Sequence, residues 1–175
     1  MTDFHVLTKV ALLDQISRGW EELSRALDSL TPEQMSGPTD ANGWRVQDHL
    51  SHMGAWHNWA RLRMQGRPTW EGLGITEADV SSGDTDTANA AIRARHAGKT
   101  PAEARAFLSE THDLLVAHVA GLEDAVLPLP FRALGRNEPA DRVIPPVSHI
   151  VFESTANHYR EHLEWLRSYR VDEDD

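Results

Sequence analysis

The sequence predicts an all-α protein, a four-helix bundle with long connections between its helices. Apolar residues recur at helical spacing over several long stretches, threonine–proline pairs mark two helix starts, and no stretch is convincing as a strand. The chain has 175 residues, of which 40% are hydrophobic, enough to build one core. We therefore expect a single domain over residues 1–170, followed by an acidic tail at 171–175.

The first helix is predicted over Lys9–Leu30, where leucine, isoleucine and tryptophan recur three and four residues apart. Thr8 stands at the capping position before it. Thr31 and Pro32 then open a short helical turn, with Gln34 three residues after the capping threonine.

The second helix is predicted from Arg45 to Met64 and ends before a Gly-Arg-Pro segment. Residues 68–85 contain turn-forming residues and no sustained period, so we expect an exposed loop that roofs a pocket. A short helix is expected near Ala88–His96.

The third helix begins at Thr100 and Pro101, the clearest helix start in the chain, and runs to about Leu122. Residues 123–146 are proline-rich and predict an irregular crossing rather than strands. The last helix is predicted to begin near Val147 and to run to about Tyr169.

Composition excludes several classes of function. The formal net charge of −10 repels phosphate backbones and anionic lipids, so we expect neither nucleic acid nor a membrane as partner. No stretch is long and apolar enough for a membrane span, and the first residues do not resemble an export signal, which predicts a cytoplasmic protein. The absence of cysteine excludes disulfides and cysteine nucleophiles and directs attention to the ten histidines.

His158 and His162 are four residues apart, so on one helix their side chains differ by about 40° in direction and about 6 Å along the axis. Both imidazoles can therefore reach one ion. His52, on the inner side of the second helix, can complete a three-histidine metal site with open coordination positions, and His49 is an alternative to it. Histidine pairs at this spacing are also common without a metal, so ordinary core or surface histidines remain the other interpretation.

The run from Trp44 through Asp48 to His52, in which every second residue is Trp, Val, Asp, Leu and His, resembles the DinB/YfiT-like superfamily of metal-dependent four-helix proteins. The segment from His158 to His162 matches its second motif, and the resemblance covers nearly the whole chain. It implies that His52, His158 and His162 bind a divalent metal, nickel or zinc. Arg45 departs from the family pattern, where a capping serine is usual.

Characterised members of that superfamily include bacillithiol S-transferases and mycothiol-dependent maleylpyruvate isomerases. The resemblance thus implies a metal-dependent enzyme that activates a low-molecular-weight thiol, as a transferase or isomerase, or activates water, as a hydrolase. Because the chain lacks cysteine, the thiol would be a cosubstrate. The alternative is a metal-independent protein that binds or sequesters a small molecule, as in self-protection. A homodimer is plausible for either.

Four side chains are predicted to contact a small-molecule substrate because they lie within one or two helical turns of the proposed ligands: His49, Trp56, Trp59 and Tyr159. Ordinary core packing is the other interpretation for these aromatic residues. Trp44 is expected to pack as a hydrophobic staple rather than to contact a ligand. The sequence identifies no proton acceptor.

Overall fold

The computed structural model describes residue 4 and residues 6–131 and 144–168. The predicted acidic tail at 171–175, the end of the last helix near Tyr169 and the middle of the proline-rich segment lie outside these residues.

The described residues form eight α-helices and no named strand. The helices are α1 Lys9–Asp28, α2 Pro32–Ser36, α3 Val46–Met64, α4 Thr69–Leu73, α5 Thr85–His96, α6 Pro101–Ala120, α7 Val147–Phe152 and α8 His158–Ser168. A π-helical segment, Glu153–Asn157, joins α7 to α8, so the last three elements form one long helix. The all-α prediction is confirmed.

Four long helices, α1, α3, α6 and the composite last helix, surround one apolar core. Each contributes fully buried residues, among them Leu12, Leu50, Leu108 and Val151. Helix α3 is central, since it packs along α6 and also contacts α4 and α5. Gly54 allows the close approach of α3 and α6, because a Cβ there would lie 2.8 Å from the Phe107 ring.

The predicted helix starts are confirmed by their hydrogen bonds. The Thr8 hydroxyl accepts the backbone N–H of Ala11 at 3.3 Å. Thr31 and Thr100 each form a reciprocal capping box with the residue three positions later. These starts were predictable because every partner lies within one turn of the chain.

The structure corrects the prediction that residues 68–85 form an exposed loop. This segment contains α4 and a 3₁₀ turn, Ala78–Val80, and Leu73 is only 2% exposed. Helix α4 packs on α3 at Gly72, where a Cβ would lie 2.7 Å from the Trp59 Cα, and the Asn58 amide donates to the Gly72 carbonyl at 3.0 Å. Tertiary contacts hold a helix that is too short to show a period in the sequence.

The predicted helix start at Val147 is confirmed, and the structure adds a π-helical segment, Glu153–Asn157, within the last helix. The π-helical segment accommodates an extra residue, which changes the direction of every later side chain relative to Val147 and Val151. After it, Tyr159, Leu163 and Leu166 face the core, while His158 and His162 lie beside that face.

In the described parts of the proline-rich segment, Asp124–Val126 forms a 3₁₀ turn, and Pro130 and Pro146 form an isolated antiparallel bridge. No helix within the described ranges is long and apolar enough to cross a membrane.

Candidate metal centre and adjoining cavity

The residues that bear on the site are histidines from two distant parts of the chain. His52 comes from the middle of α3, whereas His158 and His162 come from consecutive turns of α8. One ring nitrogen of each lies within 4.8 Å of those of the other two. The Nε2 atoms of His52 and His158 are 3.0 Å apart. Two nitrogens bound to one tetrahedral ion at 2.0–2.1 Å are separated by about 3.3 Å, so this spacing fits a shared ion.

The three imidazoles lie in an environment that favours their uncharged form. Burial, reinforced by the neighbouring histidines, holds the pKa values of His52 and His162 well below 6.5. Burial and nearby His49 lower the pKa of His158 to about 4. Neutral imidazole has a lone pair available for a metal, and this group can hold a metal ion.

A cavity of about 840 Å³ adjoins the histidine group. His52 and His162 form part of its wall, together with residues of the loop before α3 and of α5. Its volume lies within the range of small-molecule sites, about 300–1,000 Å³.

A buried ion pair supports the cavity wall at the start of α3. Asp48, 4% exposed, accepts two hydrogen bonds from the Arg45 guanidinium at 3.0 and 2.9 Å and one from the Arg45 backbone N–H at 3.0 Å. Burial raises the pKa of Asp48, but the hydrogen bonds from Arg45 outweigh it and leave the pKa below its usual value. Arg45, which departs from the family's capping serine, therefore stabilises the helix start through its pairing with Asp48.

Arg93 of α5 joins this ion pair from the opposite side of the cavity. Its Nε is 3.6 Å from the Asp48 carboxylate, and its guanidinium donates to the Gly43 carbonyl. The same guanidinium lies 5.6 Å from the centre of the Trp44 ring. Helix α5 is thus attached to the loop before α3 across the cavity.

His49 lies in the cavity wall next to His52, His158 and His162, the candidate metal-binding group. Its Nε2 is 3.2 Å from the Asp40 carboxylate, which also accepts the backbone N–H groups of Asn42 and Trp44 at 2.8 Å. The His49 ring contacts that of His162 at 4.9 Å. Asp40, fixed by backbone donors, orients His49, and with it one side of the metal-binding group.

Trp44 was expected to pack as a hydrophobic staple before α3, but it lies in the wall of the cavity. Its ring lines the cavity and contacts His49 at 5.2 Å and His52 at 5.5 Å. Trp44, Asp40 and Arg93 are therefore cavity residues that sequence reasoning missed. The local pattern offered no signal for Arg93, which is 41 residues from His52 along the chain.

The four residues predicted to contact substrate occupy different surroundings. His49 lines the large cavity, whereas Trp56 lines a second, smaller one. Trp59 lines neither and packs against the Phe131 ring at 5.6 Å. Tyr159 also lines neither and is 0% exposed. The geometry brings His49 to the metal-binding group and leaves Trp59 and Tyr159 in core surroundings.

Tyr159 lies in a second group of hydrogen-bonded side chains, which it forms with His57 and His112. Its hydroxyl lies 3.0 Å from Nε2 of His57 and 2.9 Å from Nδ1 of His112. The His112 ring stacks on Trp20 at 3.9 Å between centres. Both His57 and His112 therefore have a hydrogen-bonding partner in the core.

Comparisons with known proteins show structures of the same fold. The chain resembles a Streptococcus pneumoniae protein structure, with a TM-score of 0.74, 13% identity, and coverage of 95% of this chain and 92% of that one. It also resembles DfsB, described as a sibling lethal factor precursor, with a TM-score of 0.73, 14% identity, and coverage of 98% and 99%.

A third similar structure is that of the colibactin self-resistance protein ClbS in complex with a dsDNA. Its TM-score is 0.70 at 18% identity, with coverage of 93% of this chain and 95% of that one. At these identities the likeness shows the fold. No curated protein matches the chain significantly. The family model described as the DinB superfamily matches residues 15–166, and the chain belongs to that superfamily.

Proposed function

We propose that this protein is a divalent-metal-dependent enzyme that acts on a small molecule in the 840 Å³ cavity. The observation that carries the proposal is the convergence of His52, His158 and His162 beside that cavity. Nitrogen ligands suit zinc or nickel. Three protein ligands leave coordination positions for a reactant, as in catalytic rather than structural zinc sites.

A divalent ion held by three neutral imidazoles supplies Lewis acidity, which lowers the pKa of a bound water or thiol. The protein's own side chains provide the surroundings for this chemistry. Trp44 presents an aromatic wall beside His52, and His49, held by Asp40, contacts His162. Because the chain has no cysteine, thiol chemistry here would use an external low-molecular-weight thiol.

The first experiment is metal content by mass spectrometry on untagged protein purified without chelator. The wild type is expected to carry about one zinc or nickel ion per chain, and His158→Ala is expected to lose it. His96→Ala is the matched control, because His96 packs against Phe107 in α6 and lies outside the metal-binding group. The proposal would be overturned if the wild-type protein is purified without metal and binds no zinc or nickel when either ion is added.

Metal-loaded protein then separates the two reaction types. Transferase or isomerase activity requires an added thiol such as bacillithiol or mycothiol, whereas hydrolysis proceeds without one. Turnover of electrophilic substrates should therefore be measured in parallel with and without thiol, using His162→Ala as the inactive control.

A second candidate function is metal-independent binding of a small molecule. The cavity volume and the likeness to ClbS, a colibactin self-resistance protein, support it. The two functions differ in their need for the metal: His158→Ala should abolish catalysis but leave sequestration of a ligand intact, because His158 is not among the side chains that line the cavity.

The dsDNA in the ClbS structure belongs to that protein. For this chain we retain the prediction that nucleic acid is not a partner, because a net charge of −10 opposes contact with phosphates. Fluorescence anisotropy with labelled duplex DNA at low salt tests it, and saturable binding would contradict it.

A further inference from the structure

A second cavity, of about 430 Å³, lies on the other side of Trp56 from the metal-binding group. It is open to solvent on one side and is lined by residues of α3, α4, the 3₁₀ turn and the start of α5. Nothing in the proposed enzymatic function uses this cavity, so its role is a separate question.

The second cavity has a mixed lining, in which aromatic and aliphatic side chains lie beside threonines, a serine and two carboxylates. Trp56, Trp70, Leu73 and Val80 line it. Leu73 and Val80 belong to a small apolar cluster that is distinct from the main core. The indole N–H of Trp56 donates to the Asn89 side chain at 3.1 Å, and Asn89 lines the larger cavity. Because that N–H is already bonded to Asn89, a ligand in the second cavity can contact Trp56 only through its aromatic ring.

The charged residues that line this cavity have one sign. They are Glu77 and Asp84, and the lining includes no lysine, arginine or histidine. Thr87 donates to the Asp84 carboxylate through its backbone N–H at 2.9 Å and its hydroxyl at 2.6 Å, which lowers the pKa of Asp84 and keeps it ionised. The larger cavity differs, because its wall contains Arg45 and Arg93 as well as aspartates.

We propose that the second cavity binds a small organic cation, an ammonium group carried on an apolar or aromatic body. Tryptophan rings attract a cation through the negative face of their π-system, and quaternary ammonium groups are recognised in this way by aromatic residues. Glu77 and Asp84 add charge complementarity, while Leu73 and Val80 accommodate the apolar body. An anionic ligand would meet two carboxylates and no compensating cation.

The test uses three soluble probes that share a benzyl or phenyl group and differ in charge: benzyltrimethylammonium, benzyl alcohol and benzoate. Calorimetric titration at low ionic strength is expected to detect saturable binding of the cation, weaker binding of the alcohol and none of benzoate. Added salt should weaken cation binding, because the carboxylates lie at exposed positions. Equal affinity for the cation and the alcohol would overturn the proposal, as would an absence of cation binding.

Three variants locate the binding. Glu77→Gln, at an exposed position, should weaken cation binding by about threefold to tenfold without affecting the alcohol, and Trp70→Leu should weaken it by about fivefold to thirtyfold. Glu22→Gln, an exposed acid on α1, is the matched control and should change nothing. Trp44→Leu tests the larger cavity: loss of cation binding in this variant, with retention in Trp70→Leu and Glu77→Gln, would overturn the assignment.

Discussion

Helix α3 carries two buried histidines, His52 and His57, that belong to different groups. His57 is bonded to the Tyr159 hydroxyl, which also contacts His112, so a tyrosine provides a partner for two imidazoles. His52 has another histidine, His158, as its hydrogen-bonding partner. Both histidines are buried, so burial does not distinguish a structural histidine from a candidate ligand. The distinction depends on the hydrogen-bonding partner of the imidazole and on whether the imidazole reaches a cavity.

The two groups also differ in what they adjoin. His52 and His162 line a cavity of about 840 Å³, whereas Tyr159 and His57 are both 0% exposed. His158 and Tyr159 are neighbours in the sequence, yet each belongs to a different group. One helix therefore supplies a candidate metal ligand and a core tyrosine from consecutive positions.

The largest expected difference between the groups is in metal affinity. His162→Ala removes one of three ligands and should weaken zinc binding by at least about 100-fold, since loss of a hydrogen bond to a ligand alone costs roughly 10–100-fold. His112→Ala should leave zinc binding within a few-fold of wild type. Competition with a chromogenic chelator measures both variants. Equal loss in the two variants would remove the distinction between the groups.

The second expected effect is on stability. Tyr159→Phe removes the hydroxyl between His57 and His112 and should lower the free energy of unfolding by about 1–3 kcal/mol, because buried polar atoms lose a partner. Urea denaturation followed by circular dichroism measures the change. Zinc stoichiometry should stay at the wild-type value, and its loss would show that the two groups are not independent.

Acidification should destabilise the metal-free protein through its buried histidines, which include His57 and His112 beside Tyr159 as well as the three candidate ligands. Burial holds the pKa of His57 well below 6.5 and, countered in part by Asp113, lowers that of His112 to about 4. As pH falls from 6.5 towards 4, the unfolded chain takes up protons that the folded chain excludes, so stability falls. Urea midpoints of chelator-treated protein should therefore be lower at pH 5 than at pH 7. His112→Gln should reduce this difference, and a pH-independent midpoint would contradict the prediction.

The smallest expected effect concerns His49, which lies between the candidate ligands and Asp40. Asp40→Asn keeps a side-chain oxygen for the backbone N–H groups of Asn42 and Trp44 but removes the negative charge facing His49. Stability should change by about 1 kcal/mol or less, and one zinc per chain should remain. Thermal denaturation and metal analysis test this. Loss of the metal would indicate that the orientation of His49 controls the ligand group.

Much of the fold was predictable because it rests on local interactions. The capping residues Thr31 and Thr100 and the apolar periodicity of the long helices operate within one or two turns of the chain. The pairing of His158 with His162 follows from helical spacing, and their grouping with His52 from the family resemblance. The structure brings these three together.

Other features depend on contacts between distant segments, which no local pattern encodes. Helix α4 forms against Trp59 of α3, and Arg93 reaches Asp48 from another helix. Trp44 appeared to be a staple because its sequence position suits one, but its ring lies over His49 and His52.

By itself, the sequence determined the helical class, the main helix starts and the pairing of His158 with His162, because spacing on a helix and capping are local properties. Only the tertiary structure decided which side chains face a cavity and which are enclosed. The π-helical segment before His158 changes the direction of every side chain after it, and Tyr159 consequently lies in the core with His57 and His112. Such a change in direction depends on how the last helix packs against its neighbours.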